Sequence, residues 1–167
     1  MTGSTLTRTA AAPRPARLLN ALTRTADRRI DLLIRTTLAL VIFPHGAQKL
    51  LGWFGGYGFD GTMAHLMGHY GLPALVAVLV IAIEFFGPIA LVLGLFGRVA
   101  AAGIGVVMVG AALTTHLPYG FFMDWFGTQG GEGFEYHLLA LALAIAVTVN
   151  GSGALSLDRL IAREEVA

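Results

Sequence analysis

The sequence predicts an all-α fold: a four-helix transmembrane bundle, antiparallel, with both termini cytoplasmic. Three observations predict it. The first is composition. Of 167 residues, 56% are hydrophobic and only 13% are charged, with a mean hydropathy of +0.73. A soluble domain carries about 25% charged residues. The second is a set of four apolar runs at about residues 30–51, 72–97, 99–117 and 134–149. The third is the position of the basic residues. Arg8, Arg14, Arg17, Arg24, Arg28, Arg29 and Arg35 precede or begin the first run, Arg98 lies between the second and third, and Arg159 and Arg163 follow the fourth. With an even number of crossings all of these share one side, which the positive-inside rule makes the cytoplasm. Only Lys49 lies toward the other side.

Residues 1–29, rich in Thr, Ala and Arg, contain no apolar core of a signal peptide. They are expected to be a disordered cytoplasmic tail, with a short interfacial helix over 18–30. The transmembrane domain is expected over 30–153 and a polar cytoplasmic tail over 154–167. In the first run Arg35 can snorkel to the headgroups. Pro44 and Gly46 should loosen the helix, and His45 and Lys49, four apart, share a face. Residues 52–71 carry Trp53, Phe54, Tyr57, Phe59 and Tyr70, an interfacial aromatic belt. His65 and His69 share a face if 62–70 is a short surface helix. Without a third ligand they are expected to be interfacial and to hold no metal.

The second run is the centre of the chain. It is ~39 Å long as a helix, enough to cross a ~30 Å hydrocarbon layer. Its one ionisable residue is Glu84. A carboxylate at that depth costs roughly 2.5 kcal/mol or more unless it finds a partner or a proton. Pro88, four residues on, has no N–H to give the Glu84 carbonyl. A tight turn at Gly97 leads into the third run, whose many glycines and alanines suit close helix packing. It ends in His116. A second aromatic girdle follows, with Tyr119, Phe121, Phe122, Trp125 and Phe126. The fourth run opens on Glu135, Tyr136 and His137 and stops at Asn150-Gly151-Ser152-Gly153.

This topology puts His45, His65, His69, His116 and His137 in the outer half, with Lys49 and Glu135, and Glu84 beneath them. An outward-opening polar pocket with Glu84 at its floor is the expectation. Intramembrane ionisable residues are functional candidates by default.

Several short motifs share one order and spacing. Gly46-Ala-Gln-Lys49-Leu50 closes the first run, and Glu84, Gly87, Leu91, Gly94, Leu95 and Arg98 punctuate the second. His116, Glu135-Tyr136, Gly151-Ser152-Gly153 and Ser156-Leu157-Asp158 follow. Over about residues 28–161 the chain resembles the DoxX family of small four-helix bacterial membrane proteins. Ser152 departs from the proline the family more often has there. The resemblance implies a multi-pass protein of the bacterial inner (plasma) membrane. The family's name comes from a subunit associated with a terminal quinol oxidase, relatives form part of thiosulfate:quinone oxidoreductase, and others belong with thiol and oxidative-stress systems. It points to Lys49, Glu84, His116 and Glu135.

Three functions fit. In quinone-linked redox chemistry His45, Lys49 or His116 would donate to the quinone carbonyls. Glu84, His116 and Glu135 would be the catalytic groups, and the carboxylates would relay protons. Electrons must then come from a redox partner protein, because the chain has no cysteine and no flavin or dinucleotide fingerprint. The same lack excludes disulfides, iron–sulfur centres and cysteine-bound zinc. A haem between two histidines has no supporting spacing. The second function is a small proton-coupled carrier, with Glu84 beside a proline break at midplane. The third is an anchor or assembly subunit without chemistry of its own, its glycine-rich helix and arginine-rich tail serving as docking surfaces for partners and anionic lipid. Self-association is open in all three. Nucleic-acid binding is not expected, since the tail arginines lack interleaved aromatics, and no nucleophilic triad can be assembled.

Overall fold

The computed structural model describes residues 14–164. Among them every regular element is helical. The α-helices are α1 (Arg14–Thr23), α2 (Arg29–Leu51), α3 (Gly58–Gly68), α4 (Ala74–Leu93), α5 (Gly97–Ala111), α6 (Glu135–Asn150) and α7 (Leu157–Glu164). A π-helical segment, Ala112–His116, and a 3-10 turn, Leu117–Tyr119, extend α5.

Buried positions recur every three or four residues, the spacing that lines one face of a helix. On α2 the buried face runs through Asp31, Arg35, Leu38, Ala39, Ile42 and Gly46. On α4 it runs through Ala77, Ile81, Glu84, Pro88 and Leu91, and on α6 through His137, Ala140, Ala144 and Val147. Helix α2 packs on α4, α4 on α5, α5 on α6, and α6 back on α2, closing a ring. Leu38, Ile42, Leu91, Ile104, Met108 and Val147 fill it. The opposite faces expose Leu40, Phe86, Val92, Val106, Leu139 and Val149. Such faces suit lipid as the surrounding solvent. The segments Arg29–Leu51, Ala74–Leu93 and Gly97–Tyr119 are long and apolar enough to cross a membrane. Helix α6 has 16 residues, ~24 Å of helix against a ~30 Å core.

The end of the ring beside α1 and α7 is held by three charged side chains that satisfy helix ends. Arg35, only 1% exposed, donates to the carbonyls of Leu91 and Val92 at the end of α4 and of Ala154 and Leu155 beyond α6. Arg98 donates to Thr148 and Val149 at the end of α6 (both 2.7 Å) and to the Arg24 carbonyl after α1 (3.0 Å). Asp158 accepts from the backbone N–H groups of Phe96 (2.7 Å) and Gly97 (3.0 Å), capping α5, and from the Ser152 hydroxyl (2.6 Å). A negative group at a helix N-terminus also meets the favourable end of the dipole. Gly94, with φ +63°, closes α4, and a Cβ there would strike Ser156. Helix α1 rests on α7, and Arg159 of α7 pairs with Asp27 in the segment between α1 and α2.

Several expectations change here. Arg35 does not snorkel. It lies on the buried face of α2, and its two terminal nitrogens are spent on carbonyls, while Nε is buried without a protein partner. A helix occupies Arg14–Thr23, within the stretch expected to be disordered and earlier than the one expected over 18–30. Residues 1–13 lie outside the described residues. The run 72–97 is not one helix: α4 stops at Leu93, and α5 begins at Gly97 because Asp158 caps it there. The polar tail from 154 contains α7 and, through Asp158, braces the bundle.

Candidate functional site

At the opposite end of the ring Lys49, in the last turn of α2, forms an ion pair with Glu84 of α4. Glu84 is 3% exposed and the Lys49 side chain 28%. The local sequence explains the contact. Gly46 lies one turn before Lys49 on the same face. Its backbone sits against the Glu84 carbonyl, the one Pro88 deprives of a helical partner, and any Cβ at 46 would collide with it. The Gly46-to-Lys49 spacing therefore brings two backbones together and lets the lysine reach across one turn later.

His45, beside Gly46 and exposed, turns toward α6, its ring 5.9 Å from Tyr136. Both His45 and Tyr136 lie within the field of Glu84. His137, 7% exposed, follows Tyr136 with rings 5.3 Å apart. Its ring centroid lies 4.1 Å from that of His116, the planes tilted by 39°. His116 closes the π-helical segment, where the Leu117 N–H reaches back five residues to the Ala112 carbonyl. Single π turns of this kind often occur at functional sites. Nδ1 of His116 lies 2.8 Å from the Glu132 carbonyl. A carbonyl only accepts, so Nδ1 carries the hydrogen. Two polar atoms of this cluster, Tyr136 Oη and His137 Nδ1, are buried without a protein hydrogen-bond partner.

Of the residues expected from the sequence, Lys49, Glu84, His45 and His116 thus come together. Glu135 does not join them. Its Oε1 accepts from the Met123 N–H (3.1 Å) and the Trp125 indole N–H (3.2 Å), tying down the aromatic loop. It borders an apolar cavity of about 430 Å³ that Phe121, Trp125 and one side of Tyr136 also line. His65, in α3, and His69, one residue past its end, stack their rings at 5.2 Å with Tyr70 edge-on to both. Tyr136 and His137 were not among the residues expected to act. The pattern 137, 140, 144, 147 puts His137 on the buried face of α6, and Glu135, two residues earlier, falls on the other side.

An ammonium, a carboxylate, three imidazoles and a phenol converge. Together they can donate and accept hydrogen bonds and pass protons at a point walled by apolar helices.

Comparison with known proteins places the chain in a family. The DoxX family model matches residues 30–117. A protein of Bacillus subtilis (strain 168) named "Putative oxidoreductase CatD" is 30% identical over 130 residues, covering 78% of this chain and 85% of that protein. No solved structure matches. The chain belongs to the DoxX family and is a membrane protein with multiple spans.

Proposed function

From that membership and this geometry we propose that the chain is a subunit of, or accessory to, a quinone-linked membrane oxidoreductase. The observation that carries the reading is the Lys49–Glu84 pair with His45 and Tyr136 in its field and His137 and His116 following Tyr136 ring to ring. An ion pair at membrane depth is costly to build, and such pairs mark functional sites. The redox assignment is supported by the name of the Bacillus subtilis relative.

All four apolar helices cross the bacterial inner membrane, α6 doing so where its neighbours carry the ends at the interface. Both termini are cytoplasmic, as the shared end of α1 and α7 and the arginine distribution suggest. The cluster then lies in the outer half, as the floor of a polar pocket whose open side carries His45 and Lys49.

A quinone supplies two-electron, two-proton chemistry when bound. The residues present fit its headgroup, which has two carbonyl oxygens to satisfy in an apolar setting. Tyr136 Oη and His137 Nδ1 are buried polar atoms with hydrogen-bonding capacity to spare. Lys49 and His45 add donors from the facing helix. Glu84 takes up and releases the proton, held by Lys49 in both states. A partner protein brings the electrons.

The test is gentle purification from the native membrane, with mass spectrometry and an optical spectrum of what travels with the protein. A quinone or redox enzyme that co-purifies with wild type and is lost from folded Glu84→Gln supports the reading. A clean protein in both cases overturns it.

A further inference from the structure

Glu84 must exchange protons to act, and its surroundings differ on the two sides. Toward the α1–α7 end the next buried positions are Ala39, Leu38, Pro88, Leu91 and Ile104, all apolar. Beyond them lies Arg35, a permanent cation. Among the described residues no buried titratable side chain lies between Glu84 and Arg35. Toward the other end stand Tyr136 and His137, each with an unpartnered buried polar atom. His116 follows, half-exposed beside the Glu132 carbonyl.

We propose that His116, His137 and Tyr136 form a proton path to Glu84, and that Glu84 exchanges protons from that end of the bundle alone. The ring separations are 4.1 Å from His116 to His137 and 5.3 Å from His137 to Tyr136. Buried polar sites of this kind hold ordered water, which bridges such gaps. The His116 Nδ1–H is committed to the Glu132 carbonyl, so Nε2 loads a proton from bulk water and unloads it inward. His137 accepts a proton at one nitrogen and releases one from the other. The Tyr136 hydroxyl gives its proton to the Glu84 carboxylate and regains one from His137. One proton moves from water to Glu84. His116 and Tyr136 regain their starting protonation, and His137 is left as its other tautomer, which a ring flip or water-borne proton exchange resets. Two groups of α2 face the same carboxylate. Lys49 is its counter-ion, and His45, the alternative entrance, is exposed and 5.9 Å from Tyr136.

The proposal rests on Glu84 as the working carboxylate, and its test uses no quinone, so failure of the quinone assignment would leave it standing. The full chain in lipid nanodiscs is subjected to a pH jump while the infrared carboxyl band is followed. That band is assigned to Glu84 by its loss in Glu84→Gln and its displacement in Glu84→Asp. His137→Phe and Tyr136→Phe are expected to slow its appearance about tenfold or more with the final amplitude unchanged. His116→Ala should slow it too, and imidazole in the buffer should restore the rate. A purely structural role would not give that rescue, which also decides the matter if His137→Phe does not fold. Wild-type rates in His116→Ala, slowing confined to His45→Ala, or no Glu84 band between about pH 4 and 10 would each overturn the path.

Discussion

Replacing Gly46 with alanine tests whether close helix approach builds the site. A methyl group there would collide with the Glu84 carbonyl and lie 2.6 Å from Phe85 Cα. Carbon atoms pack at about 3.5–4.0 Å, so α2 must retreat from α4 by about 1 Å. The obstacle is backbone, which no rotamer change relieves, so the cost falls near the upper end of the about 1–3 kcal/mol seen for overpacking. Alanine returns about 1 kcal/mol through its higher helix propensity. The steric cost exceeds that return, leaving a net loss of about 2 kcal/mol. At about 2–4 °C per kcal/mol for a chain of this size, Tm in detergent should fall by about 4–8 °C. The retreat also pulls Lys49 from Glu84. Lys49→Met should therefore cost clearly less in the Gly46→Ala background than in wild type. A Tm at or above wild type, with Lys49→Met costing the same in both backgrounds, would refute the reasoning.

Lys49→Met alone leaves the Glu84 carboxylate buried without a counter-ion. Because Lys49 is 28% exposed, the loss should be about 2 kcal/mol, below that of a fully buried pair, and thermal denaturation with Glu84→Gln as the second arm of a cycle measures it. Arg35→Met strips the carbonyls of Leu91, Val92, Ala154 and Leu155 of their donors. It should destabilise by about 3 kcal/mol, and Arg35→Lys should recover little, lacking the guanidinium fork. Asp158→Ala frees the Phe96 and Gly97 N–H groups at about 1–2 kcal/mol, seen as faster hydrogen exchange at 96–98. Glu135→Gln keeps an acceptor for Met123 and Trp125, so Trp125 fluorescence and quinone binding should both stay near wild type.

The helical architecture was legible because apolar period and run length survive in the sequence. The buried faces were legible too where a polar residue broke an apolar stripe, as Glu84 does. Arg35 was harder. Its spacing to Leu38 and Ile42 places it on the inner face of α2, but its carbonyl partners lie 56 to 120 residues away, and no local pattern announces them. Asp158 is the same case: its role as cap for α5 depends on a loop returning from the far end of the chain. Glu135 was expected as a site residue because the family resemblance pointed to it. At about 100° per helical residue, however, Glu135, Tyr136 and His137 cannot face one point, and packing against α5 decides that His137 turns inward. The Lys49–Glu84 contact needed the depth of Gly46 against α4, which a one-dimensional pattern suggests only as a small residue one turn before a cation.

The most direct measurement is equilibrium binding of a short-chain quinone to the purified full chain in nanodiscs. Wild type and Glu135→Gln should bind saturably and alike, while Glu84→Gln and Tyr136→Phe should bind at least about tenfold more weakly, the value of one lost hydrogen bond to a charged or buried group. Equal binding by wild type and Glu84→Gln, or none by any form, would contradict the assignment of this cluster as a quinone-linked site.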